Sequence, residues 1–139
     1  MTRKNLLNLG LLAGLLLLLV VFFWPVTLGG KSLLPLDNLF AFEPWKSHAG
    51  DFQVQVPHNE LLSDLILQNY PWKQLIVQAL QSRQLPLWNP YILSGLPFLA
   101  AGQHSALYPL SALYYVLPLA SAYGWFTVAQ LMLAGVFMY

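Results

Sequence analysis

The run "LGLLAGLLLLLVVFFWPVTL", residues 9–28, holds no charged side chain over 20 positions. As a helix rising 1.5 Å per residue it covers roughly 30 Å, the thickness of a bilayer core. Arg3 and Lys4 precede it and, by the positive-inside rule, hold the N-terminus in the cytoplasm. Trp24 suits the headgroup level, and the chain emerges near Gly29 and Gly30. A signal peptide uses an apolar core of roughly 7–15 residues ahead of a small-residue cleavage site. This run is longer, and the exit "WPVTLGGKS" lacks an A-x-A-like site. The sequence therefore predicts a retained transmembrane helix over 6–28 behind a cytoplasmic N-terminus at 1–5.

Composition agrees with lipid as a solvent. Hydrophobic residues make up 58% of the 139 and charged residues 8%, against about 25% charged in globular domains. So little charge cannot clothe a water-exposed surface. A net charge of +1, with no basic run, implies no nucleic-acid partner. Cysteine is absent, which excludes disulfides and thiolate chemistry.

The polarity is concentrated at 31–104, where all five acids, all three histidines and four of the six Lys and Arg lie. With the N-terminus inside, residues 29–119 become an extracytoplasmic loop with short and interfacial helices, long enough to carry function. Asn59 is placed to cap a short helix from Glu60, whose apolar positions Leu61, Leu62, Leu65 and Ile66 recur at helical spacing. Pro71 interrupts that pattern and opens a second helix over 71–83. Trp72, Ile76, Ala79 and Leu80 share one face of it, Gln74, Gln78 and Gln81 another, and Arg83 closes its C-terminal end. The proline- and glycine-rich segment 84–110 reads as an extended, aromatic strap with turns at Asn89-Pro90 and Gly95.

Beyond His104 the chain carries no charge. Pro118 divides that tail into a short interfacial helix over 109–117, with Tyr108, Tyr114 and Tyr115 as interfacial aromatics, and a second transmembrane helix over 120–139. Gln130, mid-span, is expected to face protein rather than lipid. The second span ends at Tyr139 without a polar or basic flank, so the expectation is a truncated, N-terminal part of a longer polytopic protein.

Two ten-residue stretches share a frame. "DNLFAFEPWK" at 37–46 and "DLILQNYPWK" at 64–73 each run from Asp through six residues to Pro-Trp-Lys. Near a membrane surface a carboxylate is able to serve as general base, hold a divalent metal or bind a sugar hydroxyl. On spacing alone Asp37 and Asp64 read instead as solvated loop acids or helix caps. His48, Asp51 and His58 lack metal-ligand spacing. His104, beside Gln103 where the polar loop meets the apolar tail, suits a buried hydrogen-bonding part more than a catalytic one. No phosphate-binding glycine loop, dinucleotide fingerprint or nucleophile elbow is present.

From Ser63 to Pro118 the string "SDLILQNYPWKQLIVQALQSRQLPLWNPYILSGLPFLAAGQHSALYPLSALYYVLP" resembles the first outer loop of the YfhO-like bacterial membrane proteins. The pattern is an ordered set: Asp64 and Gln68 four residues apart, Tyr70-Pro71, Pro86 to Tyr91, Gly95 to Pro97, and Tyr108-Pro109. The match covers roughly residues 59–119 in detail.

The resemblance implies an all-α integral membrane fold, the N-terminal part of a polytopic GT-C-like helical bundle. It implies a multi-pass enzyme of the bacterial cytoplasmic (inner) membrane that moves a sugar from a polyprenyl-phosphate donor to a cell-envelope glycopolymer acceptor. Asp64 takes by motif the place of the acid important for transfer, as proton acceptor or as support for a divalent metal. Gln68 would orient that carboxylate or bind a sugar hydroxyl, Lys73 and Arg83 are the cations nearest for the departing phosphate, and His104 is a further substrate-binding candidate. Asp64 lies 27 residues beyond Asp37, whereas in the family the acid often follows the span closely, as Asp37 does; Asp37 therefore competes for the role. A non-catalytic polytopic membrane protein, serving transport or envelope assembly, is the alternative.

Overall fold

The computed structural model describes residues 3–54 and 58–138. In chain order the helices are α1 (Arg3–Phe22), α2 (Trp24–Thr27), α3 (Tyr70–Gln81), α4 (Phe98–Ala101), α5 (Ala112–Val116) and α6 (Leu119–Met138). Short 3-10 turns cover Leu36–Ala41, Trp45–His48, Glu60–Leu62 and Pro109–Ser111, a π-type turn covers Leu65–Asn69, and β1 (Trp88–Asn89) and β2 (Leu96–Pro97) form a small hairpin. The chain divides into two compact units, one of Met1–Leu33 with Pro109–Tyr139 and the other Leu34–Tyr108.

In the first unit α1 packs against α6. α1 stops at Phe22 because Pro25 lies close downstream; proline has no N–H to donate and its ring crowds the carbonyl four residues back. Thr27 bridges the break, its hydroxyl 3.1 Å from the carbonyls of both Val20 and Phe23. The expected span over 6–28 is thus a helix from Arg3 to Phe22 followed by a separate short turn of helix, and Arg3, Lys4 and Asn5 lie within the helix rather than before it. The second expected span, 120–139, is α6 at Leu119–Met138.

Glycines on α6 set how closely it approaches α2 and α1. A Cβ on Gly124 would collide with Val26, and one on Gly135 with Leu15; small residues let apolar helices pack backbone to backbone. Ser32 donates to the Ala120 carbonyl at 2.8 Å, and buried Tyr114 stacks edge-on against Tyr123 with ring centroids 4.9 Å apart. Both helices are long and apolar enough to cross a membrane, yet only 6% of the α1 window and 22% of the α6 window is buried. A core helix of a soluble domain would be mostly covered. Gln130 is exposed rather than packed against protein.

The second unit has a polar interior. Beside Leu34, Ile66, Ile76 and Phe98 it buries Asn38, Lys73, Asn89 and His104. The expectation of an all-α fold needs one correction: the strap after α3 forms an antiparallel pair, Trp88 opposite Pro97 and Asn89 opposite Leu96. The hairpin turns at Gly95, whose φ of +106° suits glycine and whose missing Cβ leaves room for the Trp88 indole, 2.6 Å from where that Cβ would stand.

Candidate functional site

Asn59 opens the segment that carries the matched acid. Its side chain accepts from the Leu61 N–H at 3.0 Å and caps the turn Glu60–Leu62. Pro71, in the first turn of α3, has no N–H for the Leu67 carbonyl, so the regular ladder cannot run through it. The preceding turn widens instead, and Tyr70 N–H reaches back five residues to the Leu65 carbonyl. This puts Gln68 on a widened turn that leads directly into α3.

Asp64 and Gln68 are both exposed, and the Asp64 carboxylate has no hydrogen-bond or ion-pair partner among the described residues. Asp37 is held: it accepts from the backbone N–H of His58 at 2.6 Å, while its neighbour Asn38, 2% exposed, donates to the Asn59 carbonyl at 3.1 Å. The turn Leu36–Ala41 packs against Leu65–Asn69, so the two matched stretches adjoin.

The structure separates the proposed cations from this acid. Lys73, only 1% exposed, turns into the unit and donates to the His104 carbonyl at 2.7 Å and to Ser105 Oγ at 2.9 Å. Burial lowers its ammonium pKa to about 8. The apolar face expected for this helix shifts accordingly, with Lys73 and Ile76 buried and Leu80 exposed. Arg83 lies past the far end of α3, exposed, at a φ of +57°. Its N–H bonds the Leu80 carbonyl at 2.9 Å and Gln84 N–H bonds Ala79 at 2.8 Å, a paired closure of the helix end that glycine more often serves. At 1.5 Å per residue, Arg83 stands roughly 20 Å along the axis from Gln68.

His104 is 3% exposed, and its ring is occupied on both sides. Ala106 N–H donates to Nδ1 at 3.0 Å, so Nε2 carries the proton and donates to the Phe98 carbonyl at 2.7 Å. The ring stacks on Phe98 with centroids 4.1 Å apart. No ring nitrogen is left for a substrate. His104 instead fixes the segment after α4 whose carbonyl receives Lys73.

The residues that do gather beside Gln68 line a groove of about 370 Å³ between α3 and the strap. Its walls carry Gln68, Gln74, Gln78 and Asn89, with Trp72 and Tyr91, over Leu67, Pro71, Leu75 and Ile92. Asn89 Oδ1 accepts from Tyr91 N–H at 3.0 Å across the Asn89-Pro90 turn, which the sequence predicts as a turn. Gln74 and Gln78 already shared a predicted face; Asn89 and Tyr91 come to it only through the long-range fold. Among the described residues no three His, Asp or Glu converge, so these residues do not themselves build a divalent-metal site. One pair among the described residues, His48 Nδ1 and Asp51 Oδ2, is 3.2 Å apart and exposed. No protein-family model, curated protein or solved structure matches the chain.

Proposed function

We propose that the chain is part of a multi-pass membrane glycosyltransferase of the GT-C type, related to the YfhO-like proteins. α1 and α6 cross the bacterial cytoplasmic membrane with the N-terminus inside, and the polar unit stands outside. There it meets a polyprenyl-phosphate-linked sugar and an acceptor on a cell-envelope glycopolymer. The observation that carries this reading is the freedom of Asp64. It is an exposed, unheld carboxylate one turn before Gln68, whereas Asp37 is fixed by the His58 backbone. That difference favours Asp64 as the acid of the pair.

In the reaction, an acceptor hydroxyl gives its proton to the Asp64 carboxylate as its oxygen bonds the anomeric carbon. The bond from that carbon to the donor phosphate oxygen breaks, and polyprenyl phosphate leaves with the electron pair. A positioned base of this kind contributes about 100- to 10,000-fold in rate. Positive charge for the leaving phosphate comes from outside the described groove, since Lys73 points inward and Arg83 lies at the other end of α3.

The test is transfer of radiolabelled sugar from polyprenyl-phosphate donors into envelope polymer, using membranes that do or do not contain the protein. Transfer that depends on the protein supports the enzyme. Equal transfer in both membranes, across a panel of donor sugars, leaves the non-catalytic membrane protein as the reading.

A further inference from the structure

We infer that the groove between α3 and the strap is a subsite for one neutral sugar ring, holding the carbohydrate and not the phosphate of a ligand. This rests on the reading above and adds to it the chemical class of what this site holds.

The lining is free of charge. All ten groove residues are uncharged, and the one nearby ammonium, Lys73, faces the other way into the unit. A phosphate or carboxylate placed here would lose water without gaining a counter-charge, which is costly. The polar groups present are carboxamides, each with donors and an acceptor, as the hydroxyls of a sugar require. They are also available. The carboxamides of Gln68, Gln74 and Gln78 have no hydrogen-bond partner among the described residues. Asn89 is only 5% exposed, and its Oδ1 is taken by Tyr91 N–H while its amide N–H donors have no partner among the described residues. No buried side-chain nitrogen or oxygen lacks a partner among the described residues, so these donors open to the groove, where a ligand acceptor can take the place of water. Trp72 and Tyr91 add aromatic surface with a polar edge, suited to a ring that is apolar on its faces and hydroxylated around its rim. At about 370 Å³ the groove lies at the small end of ligand sites, which run from roughly 300 to 1,000 Å³, so it fits one ring rather than a chain.

The experiment is saturation-transfer NMR on the full chain in lipid nanodiscs, with empty nanodiscs as the control. The probes are the methyl glycosides of glucose, galactose, mannose and N-acetylglucosamine, and, as anionic counterparts, methyl glucuronide and glucose 6-phosphate. At least one neutral glycoside is expected to bind with millimolar affinity, and both anions at least about ten-fold more weakly. Gln74→Ala, Gln78→Ala and Tyr91→Ala change exposed side chains that the fold does not need. Each should weaken the neutral glycoside by about three-fold or more. The inference is overturned if no neutral glycoside binds up to about 50 mM, if the anions bind as tightly, or if none of the three variants weakens binding. Asp64→Asn, run in parallel for both binding and transfer, keeps the two claims apart. Sugar binding with transfer indifferent to Asp64 removes the enzyme and leaves the groove; Asp64-dependent transfer with no sugar in the groove does the reverse.

Discussion

The two Asp-x6-Pro-Trp-Lys stretches start from the same frame and exchange the tasks of their charged residues. In the first, the acid is structural: Asp37 holds the His58 N–H, and Lys46 is exposed. In the second, the lysine is structural: Lys73 is buried against the His104 carbonyl and Ser105, and Asp64 is exposed and unheld. The backbone explains the exchange. The first copy folds as two short 3-10 turns, which have no continuous face to bury. The second feeds a 12-residue α-helix whose buried side includes Lys73. A shared sequence frame is thus no guide to shared function; what matters is which charge the fold leaves in solvent.

The sharpest break of this comparison is in activity. Asp64→Asn should lower sugar transfer by about 100-fold or more, while Asp37→Asn, which keeps a side-chain oxygen for His58 N–H, should stay within a few-fold of wild type. Equal losses in the two variants, measured in the same membranes, would erase the distinction.

Stability should divide the other way. Lys73→Ala removes a charge-assisted donor from the His104 carbonyl and empties the space of a fully buried stem, and should cost about 2–4 kcal/mol. The matched Lys46→Ala should stay within about 0.5 kcal/mol. Denaturant titration followed by protease resistance of the 98–108 segment reads both. The same lysine gives a pH signature. Its ammonium falls from the ordinary 10.5 to about 8 on folding. Between those values the unfolded chain binds more protons, so unfolding free energy rises with pH across that window. Wild type should therefore gain stability relative to Lys73→Met as pH climbs from about 8 toward 10.5, and show no such gain below. Asp37→Ala should fall between the two lysine variants, costing about 1–2 kcal/mol from the lost hydrogen bond to His58 N–H.

Much of this architecture was legible in the residues. The two charge-poor runs give α1 and α6 because nothing in them competes with a helix, and Asn59, Pro71 and Asn89-Pro90 act where their local chemistry places them. Three features were hidden. Strands of two residues are too short to show alternation, and Pro90 and Pro97 mask them further. A lysine on an amphipathic helix reads as solvated, and only the carbonyl of His104, 31 residues away, turns Lys73 inward. The groove needs Asn89 and Tyr91 brought back over α3, a long-range contact that no local pattern encodes. At the ends of α3 sequence and structure differ little: the helix expected over 71–83 is Tyr70–Gln81, with Arg83 just beyond the cap.

For the proposed transfer, Asp64 and the groove beside Gln68 must stand on the outer face of a membrane, between two spans. Because the chain has no cysteine, any introduced one is the sole thiol. Leu61, 91% exposed and three residues before Asp64, is the place to put it. A membrane-impermeant maleimide should label Leu61→Cys in intact spheroplasts, and label Asn5→Cys only after the membrane is opened. Labelling of Asn5→Cys in intact spheroplasts, with Leu61→Cys protected until lysis, would contradict it.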